Sequence, residues 1–134
     1  MANRYQDIVN FERYATRNGT RIVKFFLNLS RDEQRKRFIA RIDEPDKNWK
    51  FSMADARERG YWRHYQSAYN QCIKKTASRF APWYVIPADD KRNMRLIVAT
   101  VVRDELQKLP ISYPSVSEAR RAELAEIRST LESD

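Results

Sequence analysis

Residues 22–33, IVKFFLNLSRDE, decide how this chain folds. From Ile22 to Leu27 the residues are β-branched, aromatic or aliphatic with almost no polar alternation, as in a parallel strand covered on both faces. Lys24 is the exception, and it is expected at a strand edge, its stem lying on apolar surface and its ammonium reaching water. Ser30 and Glu33 then stand at the capping-box spacing, in which the serine oxygen and the glutamate carboxylate each satisfy an unpaired donor of a new helix. That helix is predicted to run to about Ile42. A strand leading directly into a capped helix is the building unit of an α/β layer.

The rest of the chain extends this unit in both directions. Upstream, Tyr5, Ile8, Phe11, Glu12 and Ala15 recur at three- and four-residue steps, so 5–17 reads as an amphipathic helix ended by Asn18-Gly19. Downstream, Asp43-Glu44-Pro45-Asp46 stops the second helix, because proline removes a donor and restricts the residue before it. A further start signal at Ser52 with Asp55 opens a helical stripe through Tyr61, Tyr65, Ala68, Cys72 and Ile73 to about Ser78. Gly60 weakens that helix and marks a bend or a close approach. Trp83-Tyr84-Val85-Ile86, between Pro82 and Pro87, is a second buried strand, and 91–109 is another helix with Pro110 beyond its end. From Ser115 the positions of Leu124, Ile127 and Leu131 give a peripheral, weakly amphipathic tail helix.

The fold class is therefore α/β: part of a doubly wound parallel sheet, two strands of it present, with a helical insertion between them. Two strands that each expect cover on both faces and neighbours on both edges do not make a stable open sheet alone. A partner chain, a second copy, or a missing first half of the same domain is expected to supply the remaining strands.

With 134 residues and 16.0 kDa the chain suits one domain. A net charge of +8 and a pI near 9.8 point to a polyanionic or otherwise acidic partner. The single cysteine, Cys72, excludes an internal disulfide and is compatible with a reducing compartment. The start MANRYQDIVN has no apolar signal core, and no stretch is long and apolar enough to span a bilayer. A cytoplasmic protein that does not enter membranes is expected.

The charge concentrates between Ser30 and Asp55, where Arg31, Arg35, Lys36, Arg37, Arg41, Lys47 and Lys50 are interleaved with Phe38, Ile39, Ile42, Trp49 and Phe51. Two readings are open: a solvated helix face, or an anion grip. Trp49 and Phe51 are expected as apolar anchors of this segment. Asp89, Asp90 and Lys91 follow the second strand, where open α/β sheets bind ligands. They read equally well as a polar turn starting a helix, with Asp90 favoured by the helix dipole. His64, the only histidine, has no carboxylate or cysteine cluster at metal-ligand spacing and reads as an ordinary helix residue.

FERYATRNGTRIVKFFLNLSRDEQRKRF (11–38), RIDEPDKNWKFSMAD (41–55), Trp62, Tyr65 and APWYVIPADDKRNMRL (81–96) together resemble the carboxy-terminal half of the polyphosphate kinase 2 family. The likeness runs from about Tyr5 to Leu109. It implies a P-loop kinase-like fold over residues 1–110, with a lid at about 43–60 and a peripheral tail at 111–134. It also implies transfer of a phosphoryl group between inorganic polyphosphate and a nucleoside mono- or diphosphate, with Mg2+. By this resemblance Arg37, Arg41, Lys47 and Lys50 are expected to contact polyphosphate, and Asp89, Asp90 and Lys91 the nucleotide. Cations on a closing segment suit phosphoryl transfer, which is catalysed chiefly by positioning and charge stabilisation.

One departure is large. A G-x-x-x-x-G-K-[ST] loop needs closely spaced glycines, and Gly19 and Gly60 are the only two in the chain. The aspartate-bearing strand that would hold magnesium is absent too. The expectation is a truncated or incomplete form, inactive alone. A non-catalytic module holding polyphosphate or nucleic acid, or serving in assembly, is the alternative.

Overall fold

A computed structural model describes residues 2–49 and 51–133. Helix α1 spans Ala2–Arg17. Its end is a Schellman arrangement: the Thr20 N–H donates to the Ala15 carbonyl and the Gly19 N–H to that of Thr16, both at 3.1 Å. Gly19 carries the left-handed φ of 86° that this closure requires. The chain then enters strand β1, Lys24–Asn28.

Strand β1 begins two residues later than its β-branched chemistry suggests. Its one neighbour is β2, Trp83–Pro87, which pairs with it in parallel from Lys24 opposite Trp83 to Asn28 opposite Pro87. Among the described residues no strand lies beside Ile22 and Val23, so their propensity goes unused. The expected cover is also incomplete, since Leu27 and Val85 are about half exposed and only Ile86 of the strand residues is fully buried.

Between the strands the chain forms helices α2 (Arg31–Asp43), α3 (Pro45–Asn48) and α4 (Met53–Glu58), a 3-10 turn at Arg59–Tyr61, and α5 (Trp62–Thr76). Proline behaves as its geometry dictates: α2 stops at Asp43, Glu44 turns extended, and Pro45 opens α3 at the position where a missing N–H costs nothing. At Ser52 both halves of the capping box are made with Asp55. The stripe beyond is not one helix, because the tighter turn around Gly60 separates α4 from α5. Helices α6 (Lys91–Gln107) and α7 (Glu118–Glu132) complete the described chain. None of these helices is long and apolar enough to cross a membrane.

Helix α5 lies against one sheet face through Tyr69 on Phe26, ring centroids 4.9 Å apart. At the amino ends of the strands Lys24 does not snorkel. Its ammonium is largely withdrawn from solvent, donating to both carboxylate oxygens of Glu12 at 2.7 and 2.8 Å and to the Thr76 carbonyl at 2.8 Å. It also sits 5.1 Å from the Trp83 ring centroid. Trp83 Nε1 donates to Thr76 Oγ1, which donates to the Cys72 carbonyl. A fully paired ammonium is the condition under which a buried lysine is tolerated, and here it joins α1, β1, α5 and β2.

The apolar core is otherwise small: among the described residues Ala81, Ile86 and Ala88 are the buried hydrophobics. The accessible surface is 11,380 Å², against about 7,400 Å² for a folded monomer of this mass.

Candidate functional site

The carboxyl ends of β1 and β2 open into a cleft of 860 Å³ lined by Ser30, Arg31, Gln66, Asp89, Asn93 and Leu96, among others. Helices α2 and α6, thirteen and seventeen residues long, both begin here. Their amino-terminal turns carry positive partial charge, and each begins with a cation, Arg31 and Lys91.

Ser30 and Asp89 link the two crossings. The Ser30 hydroxyl caps α2 by accepting from the Glu33 N–H at 3.1 Å. The second half of the expected capping box is replaced, because the Ser30 N–H donates to Asp89 Oδ1 at 2.7 Å. The Glu33 carboxylate turns instead to Arg37 Nε, 2.9 Å away. A carboxylate from the neighbouring loop thus outcompetes the local one. The backbone bond from Ser30 holds the Asp89 carboxyl below its ordinary value, helped by the positive charges of Arg37 and Lys36.

Arg37 closes the same junction. Its terminal nitrogen donates to the carbonyls of Ala88 at 2.8 Å and Asp89 at 3.0 Å. With Nε on Glu33, the guanidinium fork is committed within the chain. Asp90 caps α6, its Oδ1 accepting from the N–H groups of Arg92 and Asn93. Arg37 therefore meets Asp89 at the start of α6, where Asp90 and Lys91 follow in the chain.

Arg41 is exposed in the last turn of α2. Lys47 is exposed in α3 and paired with Glu44. Lys50 lies outside the described residues. Phe51 packs edge-on against Phe38, centroids 5.2 Å apart, as an anchor should. Trp49 does not act as a core anchor: it is 74% exposed, its indole N–H donating to the Asp46 carbonyl. Tyr61 and Tyr65 are likewise exposed rather than buried.

Arg59 was not singled out by the sequence, yet it ties the turn around Gly60 to α2 by donating to the Arg31 carbonyl at 2.7 Å and to Gln34 Oε1 at 3.0 Å. The only signal for it was its position beside Gly60. Arg59 also borders a second cavity, 480 Å³, walled by Phe26, Phe38, Trp62, Tyr65 and Tyr69. Tyr65 donates to the Glu58 carboxylate, and this bond, with the carboxylate's charge, raises its pKa. Among the described residues no group of three or more histidine, cysteine or carboxylate side chains is placed to hold a metal ion. Asp89 Oδ1 and Asp90 Oδ1 each accept from backbone N–H groups.

The family model for polyphosphate kinase 2 matches residues 1–112, ending ahead of α7. The ADP-polyphosphate phosphotransferase of Rhodopseudomonas palustris is 57% identical over 96% of this chain and 44% of its own length. A protein of Leptolyngbya boryana, described as uncharacterized and in the chlN 3' region, is 50% identical over 98% of this chain and 96% of its own. The crystal structure of polyphosphate kinase 2 from Arthrobacter aurescens TC1 superposes with a TM-score of 0.81 at 43% identity, over 92% of this chain and 45% of that one. The chain spans less than half the length of the phosphotransferase and the crystallised kinase. With the parallel pair of strands, the α/β class and the matched residues in agreement, the chain belongs to the polyphosphate kinase 2 family.

Proposed function

We propose that this chain is the phosphate-gripping part of an enzyme that moves a phosphoryl group between inorganic polyphosphate and a nucleoside mono- or diphosphate. The observation that carries the reading is the cleft at the carboxyl ends of β1 and β2, where two long helices start beside Arg31 and Lys91. Family membership gives the cleft its chemistry. Relatives bear the names ADP-polyphosphate phosphotransferase and, in Meiothermus ruber at 44% identity, AMP/ADP-polyphosphate phosphotransferase.

The roles divide by how each side chain is held. Arg37, Ser30 and Asp89 form a rigid frame that sets the starts of α2 and α6. Asp89, Asp90 and Lys91 then present the nucleotide side of the cleft. Arg41, Lys47 and Lys50 sit on the segment from the end of α2 through α4, which acts as a lid bringing positive charge onto the polyphosphate. Magnesium enters with the phosphate oxygens of the substrates. The phosphate-cradling glycine loop is not among these 134 residues, so the isolated chain binds polyphosphate but does not turn it over. The reducing cytoplasm suits the free Cys72.

Calorimetric titration of the purified chain with short polyphosphate tests the grip, and saturable binding weakened by Arg41→Ala is the expected result. Binding unchanged in both Arg41→Ala and Lys47→Ala returns these cations to a solvated face. Robust ATP formation from ADP and polyphosphate by the chain alone would overturn the division of labour. The exposure of Trp49 and Tyr61 among basic residues favours a second reading, single-stranded nucleic acid stacking on those rings. A bound oligonucleotide that short polyphosphate fails to displace would favour it.

A further inference from the structure

Most polar side chains around the strand-end cleft are already engaged within the chain. Ser30 is tied to Asp89, Asp90 caps α6, and Asn93 Nδ2 donates to Asp90 Oδ2 at 3.1 Å. Gln66 is the exception. It lines the same cleft and is partly buried on α5, yet its carboxamide makes no hydrogen bond with the described residues. A carboxamide drawn from water without a partner is unfavourable, and one left free at a cleft wall suits a ligand that offers a donor beside an acceptor.

Its surroundings narrow the ligand class. Trp62 precedes Gln66 by one helical turn, so both side chains share a face of α5. Trp62, Gln66 and Leu29 line both this cleft and the aromatic cavity beside it. Leu96 and Ile97 of α6 add apolar lining to the cleft although they are 67% and 40% exposed. Inorganic polyphosphate has no apolar surface and no donor beside an acceptor, so it uses none of these groups. A planar base uses all of them, its faces against the indole and the aliphatic side chains and its edge on the amide. The cleft's 860 Å³ is within the range of small-molecule sites.

We propose that Trp62 and Gln66 hold the base of the acceptor nucleotide, and that Gln66 selects adenine through its N6 and N7 edge. The proposal deepens the phosphotransferase reading and rests on it for the phosphates, whereas the base site rests on the lining of the cleft. Gln66 Oε1 accepts from the adenine N6 amino group while Nε2 donates to N7. Guanine presents two acceptors, O6 and N7, along that edge, which sets Oε1 against an oxygen or nitrogen that has no proton to give.

The full chain is titrated with ADP, GDP and 7-deaza-ADP, which lacks the N7 acceptor, while the side-chain amide resonances of Gln66 and the indole resonance of Trp62 are followed. ADP is expected to shift both, and to bind about tenfold more tightly than either of the others, as for one bidentate contact. Gln66→Leu is expected to bring ADP down to the affinity of GDP with the helical circular dichroism kept. The deaza comparison needs no variant and decides the matter should Gln66→Leu not fold. Equal affinities for ADP, GDP and 7-deaza-ADP, no saturable ADP binding, binding that leaves Gln66 and Trp62 unmoved, or an ADP preference that survives in folded Gln66→Leu would each overturn the proposal. A Gln66-dependent preference for ADP in a chain that takes up no polyphosphate keeps the base site and removes the phosphotransferase reading.

Discussion

The two ends of the small sheet are built on opposite plans. At the amino ends of the strands, Lys24, Glu12, Thr76 and Trp83 form a closed set in which all three ammonium donors find oxygen. At the carboxyl ends, Ser30, Arg37, Asp89 and Asp90 are also paired, but Ser30, Asp89 and Asp90 line an open cleft. The first end spends its polar groups on holding four elements together. The second spends them on setting the directions of two helix starts, leaving exposed cations around the opening. The same residue types thus serve cohesion at one end and ligand geometry at the other, and burial separates the two uses.

The contrast breaks most visibly at Lys24. Lys24→Met strands the buried Glu12 carboxylate and is expected to lower unfolding free energy by about 3 kcal/mol, read as a shifted urea midpoint. Combining it with Glu12→Leu should recover most of that loss, because the pair is then replaced by apolar contact. At the open end, Arg37→Lys keeps the charge but loses the fork that reaches Glu33, Ala88 and Asp89 together, and about 1 to 2 kcal/mol is expected to go. If Lys24→Met and Arg37→Lys cost the same, the distinction between the ends fails.

A third prediction uses pH. Asp89 is depressed in the folded chain, so its tie to Ser30 is fully present above the ordinary carboxylate value of 3.8 and is lost as pH falls through the lower folded value. The Ser30 amide resonance should therefore titrate with a midpoint below 3.8 and stop titrating in Asp89→Asn. Smallest in stability is Arg41→Ala, expected within about 0.5 kcal/mol of the parent. Its effect is on polyphosphate affinity, up to about fivefold, as for a single exposed ion pair.

What the sequence conveyed was local. Helix starts at Ser30 and Ser52, the stop at Pro45, the left-handed closure at Gly19 and the two apolar strands all depend on residues within a turn of one another. The misread features depend on distant partners. Lys24 looked like an edge lysine because Glu12 and Thr76, 12 and 52 residues away, were invisible beside it. Glu33 looked like half of a capping box because its competitor Asp89 lies 59 residues from Ser30. Trp49 was expected in a core that the segment does not form, and its exposure follows from its place at the end of a four-residue α3 that packs on α2. In the candidate site, the residue types and the place at the strand ends were legible from spacing. The frame joining Ser30, Arg37 and Asp89 was not, since it is made by tertiary contact.

The two ends of the sheet differ most directly in which of them receives phosphate. Titrating short polyphosphate into the isotopically labelled chain and following its amide resonances answers this directly. The largest shifts are predicted at Ser30, Arg31, Arg41 and Lys47, with residues 89–92 shifting on addition of nucleotide and Lys24 and Thr76 unmoved. Shifts spread evenly over the basic surface, α7 included, or centred on the amino ends of the strands, would contradict it.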